Sequence, residues 1–153
     1  MKPTPLYPNR VEELCLDHKV KILVNGAFDI LHTGHIDLFM YAKSLGYVIC
    51  ALDSDERIRQ NKGIDRPVNS LEVRAKILSR IVDINEIWTF NSDLELIYLM
   101  NRGDLRLIGS DWKGKDIVGE GLIDIDFFGR VNDEATTNTL ENYINRRNLL
   151  GHL

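Results

Sequence analysis

Two histidines three positions apart, His32 and His35, are the residues of this 153-residue chain best placed to do chemistry. Thr33 and Gly34 separate them, and Gly26 lies shortly before. At this spacing two side chains can lie on one side of a helical turn. The first turn of a helix carries unsatisfied N–H groups and the positive end of the macrodipole, which makes it a ready site for phosphate. Gly26 lets a ligand approach the backbone closely, and Gly34 keeps the helix entrance uncrowded. A helix N-terminus also favours the neutral imidazole, which presents N–H donors to phosphoryl oxygens. Cations follow in Asn61–Asn69, NKGIDRPVN, where Lys62 and Arg66 stand, with Arg57 and Arg59 just before and Arg74 after. Such groups stabilise negative charge that builds up in a transition state.

The elements around these residues must hold them together. Val20, Ile22, Leu23 and Val24 have the β-branched, apolar character of a buried strand. A turn at Asn25-Gly26 follows. A helix begins at the histidines, with Ile36, Phe39 and Met40 on one face and Leu38, Ala42 and Leu45 beside it. Gly46 ends it. Tyr47–Leu52 reads as a second strand, and Ser54 or Asp55 as the cap of a short helix through Arg57–Arg59. Strand, helix, strand within about thirty residues is a right-handed βαβ unit.

Asn61–Asn69 reads as a loop. Ser70 caps a helix through Val82 that buries Leu71, Ala75, Leu78 and Val82 and leaves Arg74 and Lys76 off the stripe. Strands are expected at Ile84–Phe90, Leu105–Ile108 and Leu122–Phe128, and a helix at Leu94–Met100. In Leu122–Phe128, Ile123, Ile125 and Phe127 alternate with Asp124 and Asp126, the pattern of a sheet edge with one wet face. Thr136-Thr137-Asn138 opens a last helix through Arg147. Residues 1–18 read as an N-terminal arm: Pro3, Pro5 and Pro8 argue for irregular chain, and Asn9 could cap a short helix over Val11–Asp17.

Alternating strands and helices give a three-layer α/β, Rossmann-like fold with a five-stranded, mainly parallel sheet over residues 19–153. Ligands in such folds bind beyond the carboxyl ends of the strands, near the switch in strand order. The histidine turn, the loop after Asp53, the turn after Ile108 and the turn before Thr136 all follow strands. They converge on one crevice.

Composition narrows the function. At 44% hydrophobic and 27% charged residues the chain is ordinary globular material. Its net charge of −4 gives no global footprint for nucleic acid. Cys15 and Cys50 form no close-spaced metal pattern and no disulfide framework, which points to a reduced cytoplasmic compartment. The N-terminus lacks a signal-peptide core, and no stretch approaches the ~20 apolar residues of a membrane span.

The run Gly26-Ala27-Phe28-Asp29-Ile30-Leu31-His32-Thr33-Gly34-His35 resembles the G-x-F-D-x-L-H-x-G-H signature of the cytidylyltransferase-like nucleotidyltransferases. The resemblance extends from Lys19 to about Arg147. It implies attack of a phosphate-bearing substrate on the α-phosphorus of a nucleoside triphosphate, ATP or CTP, with pyrophosphate leaving. His32 and His35 would contact the phosphates, and Lys62 and Arg66 would neutralise charge from a mobile loop. Gly26, Ala27, Phe28, Asp29 and Gly34 would frame the nucleotide. Arg74 would help hold phosphates, with a surface helix cation as the lesser alternative.

Lys62, Gly63, Arg66, Pro67, Val68, Asn69 and Arg74 are similar to a segment of the heptose-phosphate adenylyltransferase branch. Gly109-Ser110-Asp111-Trp112 resembles the family's G-x-D-[WY] motif, which puts Asp111 and Trp112 near the nucleotide. Thr136-Thr137-Asn138 resembles its triphosphate-binding S-T-T segment, with Ala135 in place of the serine and Asp133-Glu134 an unexpected acidic pair. The resemblance further implies Mg2+, held through Asp29 or Asp111, and a homodimer. The acceptor is expected to be a small phosphorylated sugar or polyol, heptose 1-phosphate with ATP before glycerol 3-phosphate with CTP. Trp112-Lys113-Gly114-Lys115 leans towards the glycerol-phosphate cytidylyltransferases. A nucleotide-binding module without catalysis is the alternative of another class. H-x-G-H also occurs in class I synthetases, but the length and the lack of an anticodon-binding region argue against a fragment of one.

Overall fold

A computed structural model describes residues 5–7 and 20–129. Within them a six-stranded sheet runs in the order β1-β4-β3-β2-β5-β6. The strands are β1 (Pro5–Tyr7), β2 (Lys21–Gly26), β3 (Tyr47–Asp53), β4 (Glu86–Phe90), β5 (Leu105–Gly109) and β6 (Asp124–Phe128). β2 to β6 are mutually parallel, which is the five-stranded sheet that the alternating pattern implies. The sixth strand is a departure. Pro5–Tyr7, expected as irregular chain, pairs antiparallel with β4 opposite Ile87 and Trp88. It lies at the edge of the sheet and begins with Pro5, positions where a strand tolerates a residue that donates no N–H.

From β2 the chain moves outward through β3 to β4, then returns to place β5 on the other side of β2. The strand order therefore reverses between β2 and β5, and their carboxyl ends frame the crevice that such folds use for ligands.

Side chains alternate between two buried faces. Ile22 and Val24 of β2, with Val48, Cys50 and Leu52 of β3, pack against Phe39 and Ala42 of α1 (Thr33–Leu45) and Ala75 and Leu78 of α3 (Leu71–Leu78). Leu23, Ile49, Ala51, Trp88 and Phe90 face Leu96, Leu99 and Met100 of α4 (Asp93–Met100). Covering both faces explains why Tyr47–Leu52 is buried without a break. Gly46, just past α1, is required by a close approach. A Cβ there would stand 1.9 Å from the Val20 carbonyl oxygen, which accepts from Tyr47 N at 2.8 Å.

α3 stops at Leu78, short of the expected Val82. Arg80 N and Ile81 N bond back only three residues, to Ile77 and Leu78, and Val82 is exposed with no burial to extend the helix. α2 (Asp55–Lys62) begins at its Ser54 cap, as its sequence implies, and runs on past Arg59. No helix among the described residues is long and apolar enough to cross a membrane. The expected helices over Val11–Asp17 and Thr136–Arg147 lie outside the described residues.

Candidate active site

The turn leaving β2 is conformationally strained. Phe28 has φ 46, a region that bulky residues rarely enter and that costs about 1–3 kcal/mol. Its buried ring is held in place by Phe39, with centroids 5.0 Å apart, and by an edge-on contact to His35 at 5.3 Å. Packing thus enforces a turn that sends Asp29 inward and brings the chain to the start of α1.

His32 is the N-cap of α1. Its backbone N donates to His35 Nδ1 at 3.4 Å, and the two rings stack with centroids 3.8 Å apart and planes 22° from parallel. Because Nδ1 of His35 accepts, its ring proton resides on Nε2. Nε2–H is then a donor at the start of the helix, whose positive dipole end favours an anion.

A crevice of about 830 Å³ opens here. Gly26, Ala27, Phe28, His32, Gly34, His35, Lys62, Asp111 and Trp112 all line it. The loops after β2, β3 and β5 therefore meet as the topology requires. Burial pulls the Lys62 ammonium below the usual lysine range, with Arg66 reinforcing and Asp53 and Asp29 opposing. Thr136 and Thr137 lie outside the described residues.

Three residues expected at the ligand are placed elsewhere. Asp29 is buried and accepts from Val68 N at 2.7 Å and Asn69 N at 2.8 Å, while Asn69 Nδ2 donates to its carbonyl at 3.0 Å. It clamps the Lys62–Asn69 loop and does not line the crevice. Arg66 Nε lies 3.5 Å from the same carboxylate, and both side chains are largely buried. Arg74 is fully buried. Its Nε donates to Asn69 O at 3.0 Å, Nη1 to Ala27 O at 2.8 Å and Asp53 O at 2.9 Å, and Nη2 to Asp55 Oδ1 at 2.8 Å. It ties together the loops after β2, β3 and α2. The reason is its position: one step from Ala75 on α3, it faces converging strand ends rich in unpaired carbonyls.

Other crevice residues include Arg57, one of the cations noted in the sequence, and Asn25, Asp53 and Arg106, to which the sequence reading assigned no role. Arg57 bonds Asp53 at 2.8 Å and Asp93 at 2.7 Å. Burial pushes the Asp53 carboxyl above its usual range, with Arg57 opposing. Arg106 had a legible signal, a lone cation in an otherwise apolar strand. Cys50 is buried in β3 and burial pushes its thiol far up, so it offers neither nucleophile nor metal ligand.

A doubly wound parallel sheet with a histidine-bearing helix start at its switch point defines an α/β protein whose crevice is chemically suited to phosphate. Residues 23–110, more than half of the chain, match the model of the family described as Cytidylyltransferase-like, and the chain belongs to that family. Among curated proteins it is similar to Bifunctional protein HldE of Aliarcobacter butzleri (strain RM4018), 35% identical over 124 residues, 78% of this chain and 26% of that protein. Bifunctional protein HldE of Wolinella succinogenes is 38% identical over 105 residues, 67% of this chain and 22% of that protein. The chain thus spans about a quarter of the length of these relatives. The fold is also that of a lipopolysaccharide core biosynthesis protein from Thermoplasma volcanium GSS1, with a TM-score of 0.60 and 19% identity over 76% of this chain and 99% of that one. Family membership and the HldE relatives support nucleotidyltransferase chemistry.

Proposed function

We propose that the chain transfers a nucleoside monophosphate from a nucleoside triphosphate to a small phosphorylated sugar or polyol. The observation that carries this reading is the stacked His32–His35 pair at the N-terminus of α1, opening on the crevice. An acceptor phosphate oxygen attacks the α-phosphorus, the bond to the β-phosphate bridging oxygen breaks, and pyrophosphate departs. The acceptor is already anionic near neutral pH, so positioning and charge stabilisation carry the rate rather than a general base. His35 Nε2–H and the helix start donate to the α-phosphoryl oxygens as their charge grows. Lys62 adds a cation from the end of α2.

Magnesium is the metal that the family resemblance implies. Asp29 does not fit it, since its oxygens are engaged by Val68, Asn69 and Arg66. Asp111 fits as a single carboxylate on the crevice wall. Among the described residues no cluster of three His, Cys, Asp or Glu could hold a metal, so a bound Mg2+ would draw its other ligands from phosphate and water and supply charge neutralisation there.

The Lys62–Asn69 segment favours heptose 1-phosphate with ATP. The Gly109–Lys115 segment, on the crevice wall at Asp111 and Trp112, favours glycerol 3-phosphate with CTP as the second reading. Pyrophosphate release should be measured for both nucleotides crossed with both acceptors. Turnover with ATP and heptose 1-phosphate supports the first reading, and turnover confined to CTP and glycerol 3-phosphate the second. Nucleotide binding without turnover across a wide acceptor panel overturns both in favour of a binding module.

A further inference from the structure

Arg106 differs from the other arginines that the fold encloses. Arg57 is paired with Asp53 and Asp93, Arg66 with Asp29, Arg74 with Asp55, and Arg102 with Glu86. Among the described residues no carboxylate lies within ion-pair distance of Arg106, yet the residue is only 5% exposed. It sits in β5 between β2 and β6, opposite Leu23 and Ile125. Its Nε donates to Asn25 Oδ1 at 2.9 Å and its Nη1 to the Val118 carbonyl, both neutral acceptors. Burial pulls it down to about 10, with the Asp53 carboxylate opposing. Asp53 itself is already bonded to Arg57.

An enclosed charge without a counter-ion is costly to a fold. Here it lines the crevice, where a ligand can supply the missing anion. Its place within the crevice says which anion. Arg106 pairs across the sheet with Leu23, whose side chain faces α4, so Arg106 projects on the α4 side. The histidines stand on the opposite side, at the start of α1, where the nucleotide phosphates belong in the reading above. Lys62 and Arg106 both line this one crevice.

We propose that Arg106, oriented by Asn25, binds the phosphate of the acceptor substrate and so fixes which acceptors the crevice takes. This inference rests on the nucleotidyltransferase reading. Asn25→Asp is the decisive variant, because it places a carboxylate against the guanidinium without removing it. Arg106→Lys and Arg106→Gln serve beside it. Three quantities are read: denaturation midpoint, calorimetric affinity for ATP and CTP, and calorimetric affinity of the nucleotide-loaded protein for heptose 1-phosphate, glycerol 3-phosphate and inorganic phosphate.

In Asn25→Asp the expected result is a midpoint unchanged or raised, nucleotide affinity unchanged, and affinity for the phosphorylated probe weakened about tenfold or more. Arg106→Gln should weaken the probe further, and Arg106→Lys less. A stabilised Asn25→Asp that binds the probe as wild type does would overturn the proposal and make Arg106 a structural cation. Equal losses for nucleotide and probe would overturn it too, by assigning Arg106 to the nucleotide. So would a wild-type protein that binds no probe. Probe binding lost in Asn25→Asp, in a wild type that releases no pyrophosphate, would sustain the anion site while removing the transferase reading.

Discussion

Arg74→Lys separates architecture from ligand contact. The arginine side chain is 0% exposed, and its planar fork reaches four acceptors on four residues: Asn69 O, Ala27 O, Asp53 O and Asp55 Oδ1. A lysine ammonium has three donors on one nitrogen and cannot span acceptors that the fork reaches separately. At least one buried acceptor then loses its partner, at about 1–3 kcal/mol. With poorer geometry at the rest, a loss of about 2–3 kcal/mol in unfolding free energy is expected. Arg74→Met also abandons the Asp55 carboxylate, which is 30% exposed, and should cost about 3–5 kcal/mol. In a domain of this size each kcal/mol moves the thermal midpoint by about 2–4 °C, so lysine should lower it by about 4–12 °C. Methionine removes a large part of a typical total of about 5–15 kcal/mol. Urea denaturation measures the loss, and calorimetry under folding conditions measures nucleotide affinity. Stability should fall while the folded protein keeps its affinity within about threefold, well under 1 kcal/mol. Unchanged stability with lost nucleotide affinity would refute the reasoning, since the guanidinium would then be bonded to ligand rather than to these four acceptors.

His35→Ala should lower kcat about a hundredfold or more, the scale of one preorganised donor; a folded variant with wild-type turnover contradicts the role of Nε2–H. Lys62 acts as a cation and burial lowers its pKa, so its charge is lost at a lower pH than the ordinary 10.5. The alkaline limb of kcat/KM should therefore fall below that value, and Lys62→Arg should move it upward; coincident limbs in the two proteins exclude Lys62 as its source. Hydrogen exchange should be slow at the Val68 and Asn69 amides and fast at exposed Ile64, and Asp29→Ala should erase the difference. Chelation with EDTA should abolish pyrophosphate release and Mg2+ restore it, with Asp111→Asn requiring more Mg2+ for half-maximal rate; full turnover in EDTA would remove the metal from the reaction.

The parts legible in the sequence are those set by local pattern. The apolar runs of Ile22–Val24 and Tyr47–Leu52 are strands because side chains on both faces are covered, and the Ser54 and Ser70 caps do at α2 and α3 what their chemistry implies. The two histidines reach the helix start because a strand, a tight turn and a helix follow within one short stretch. Asp29 and Arg74 were misplaced because their partners are distant in sequence. Asp29 meets an amide 39 residues on, and Arg74 a carbonyl 47 residues back. Periodicity rightly put Arg74 off the apolar stripe of α3, but it cannot say that a charged side chain off that stripe meets carbonyls rather than water. β1 was missed for a related reason. Proline density argues against a strand in the middle of a sheet, and this strand lies at an edge.

The ion pairs explain how charge is shared out at the site. Arg57, Arg66 and Arg74, cations near the histidine motif in sequence, each already face a carboxylate. They fix the loops after β2, β3 and α2 in relation to one another, and a ligand that claimed them would have to break those pairs. Among the described residues, Lys62 and Arg106 are the cations that line the crevice with no carboxylate within ion-pair distance. Donors toward ligand anions therefore stand in three places: the imidazoles at the start of α1, the ammonium at the end of α2 and the guanidinium on β5. Each is held by contacts that persist without ligand: the ring stack, the clamped loop, and the bonds to Asn25 and Val118. Donors fixed in advance need not reorganise as charge develops between them, and that is the condition under which electrostatic stabilisation accelerates phosphoryl chemistry most. In the proposed transfer the paired arginines keep the imidazoles, Lys62 and Arg106 where two mutually repelling anions can be brought together.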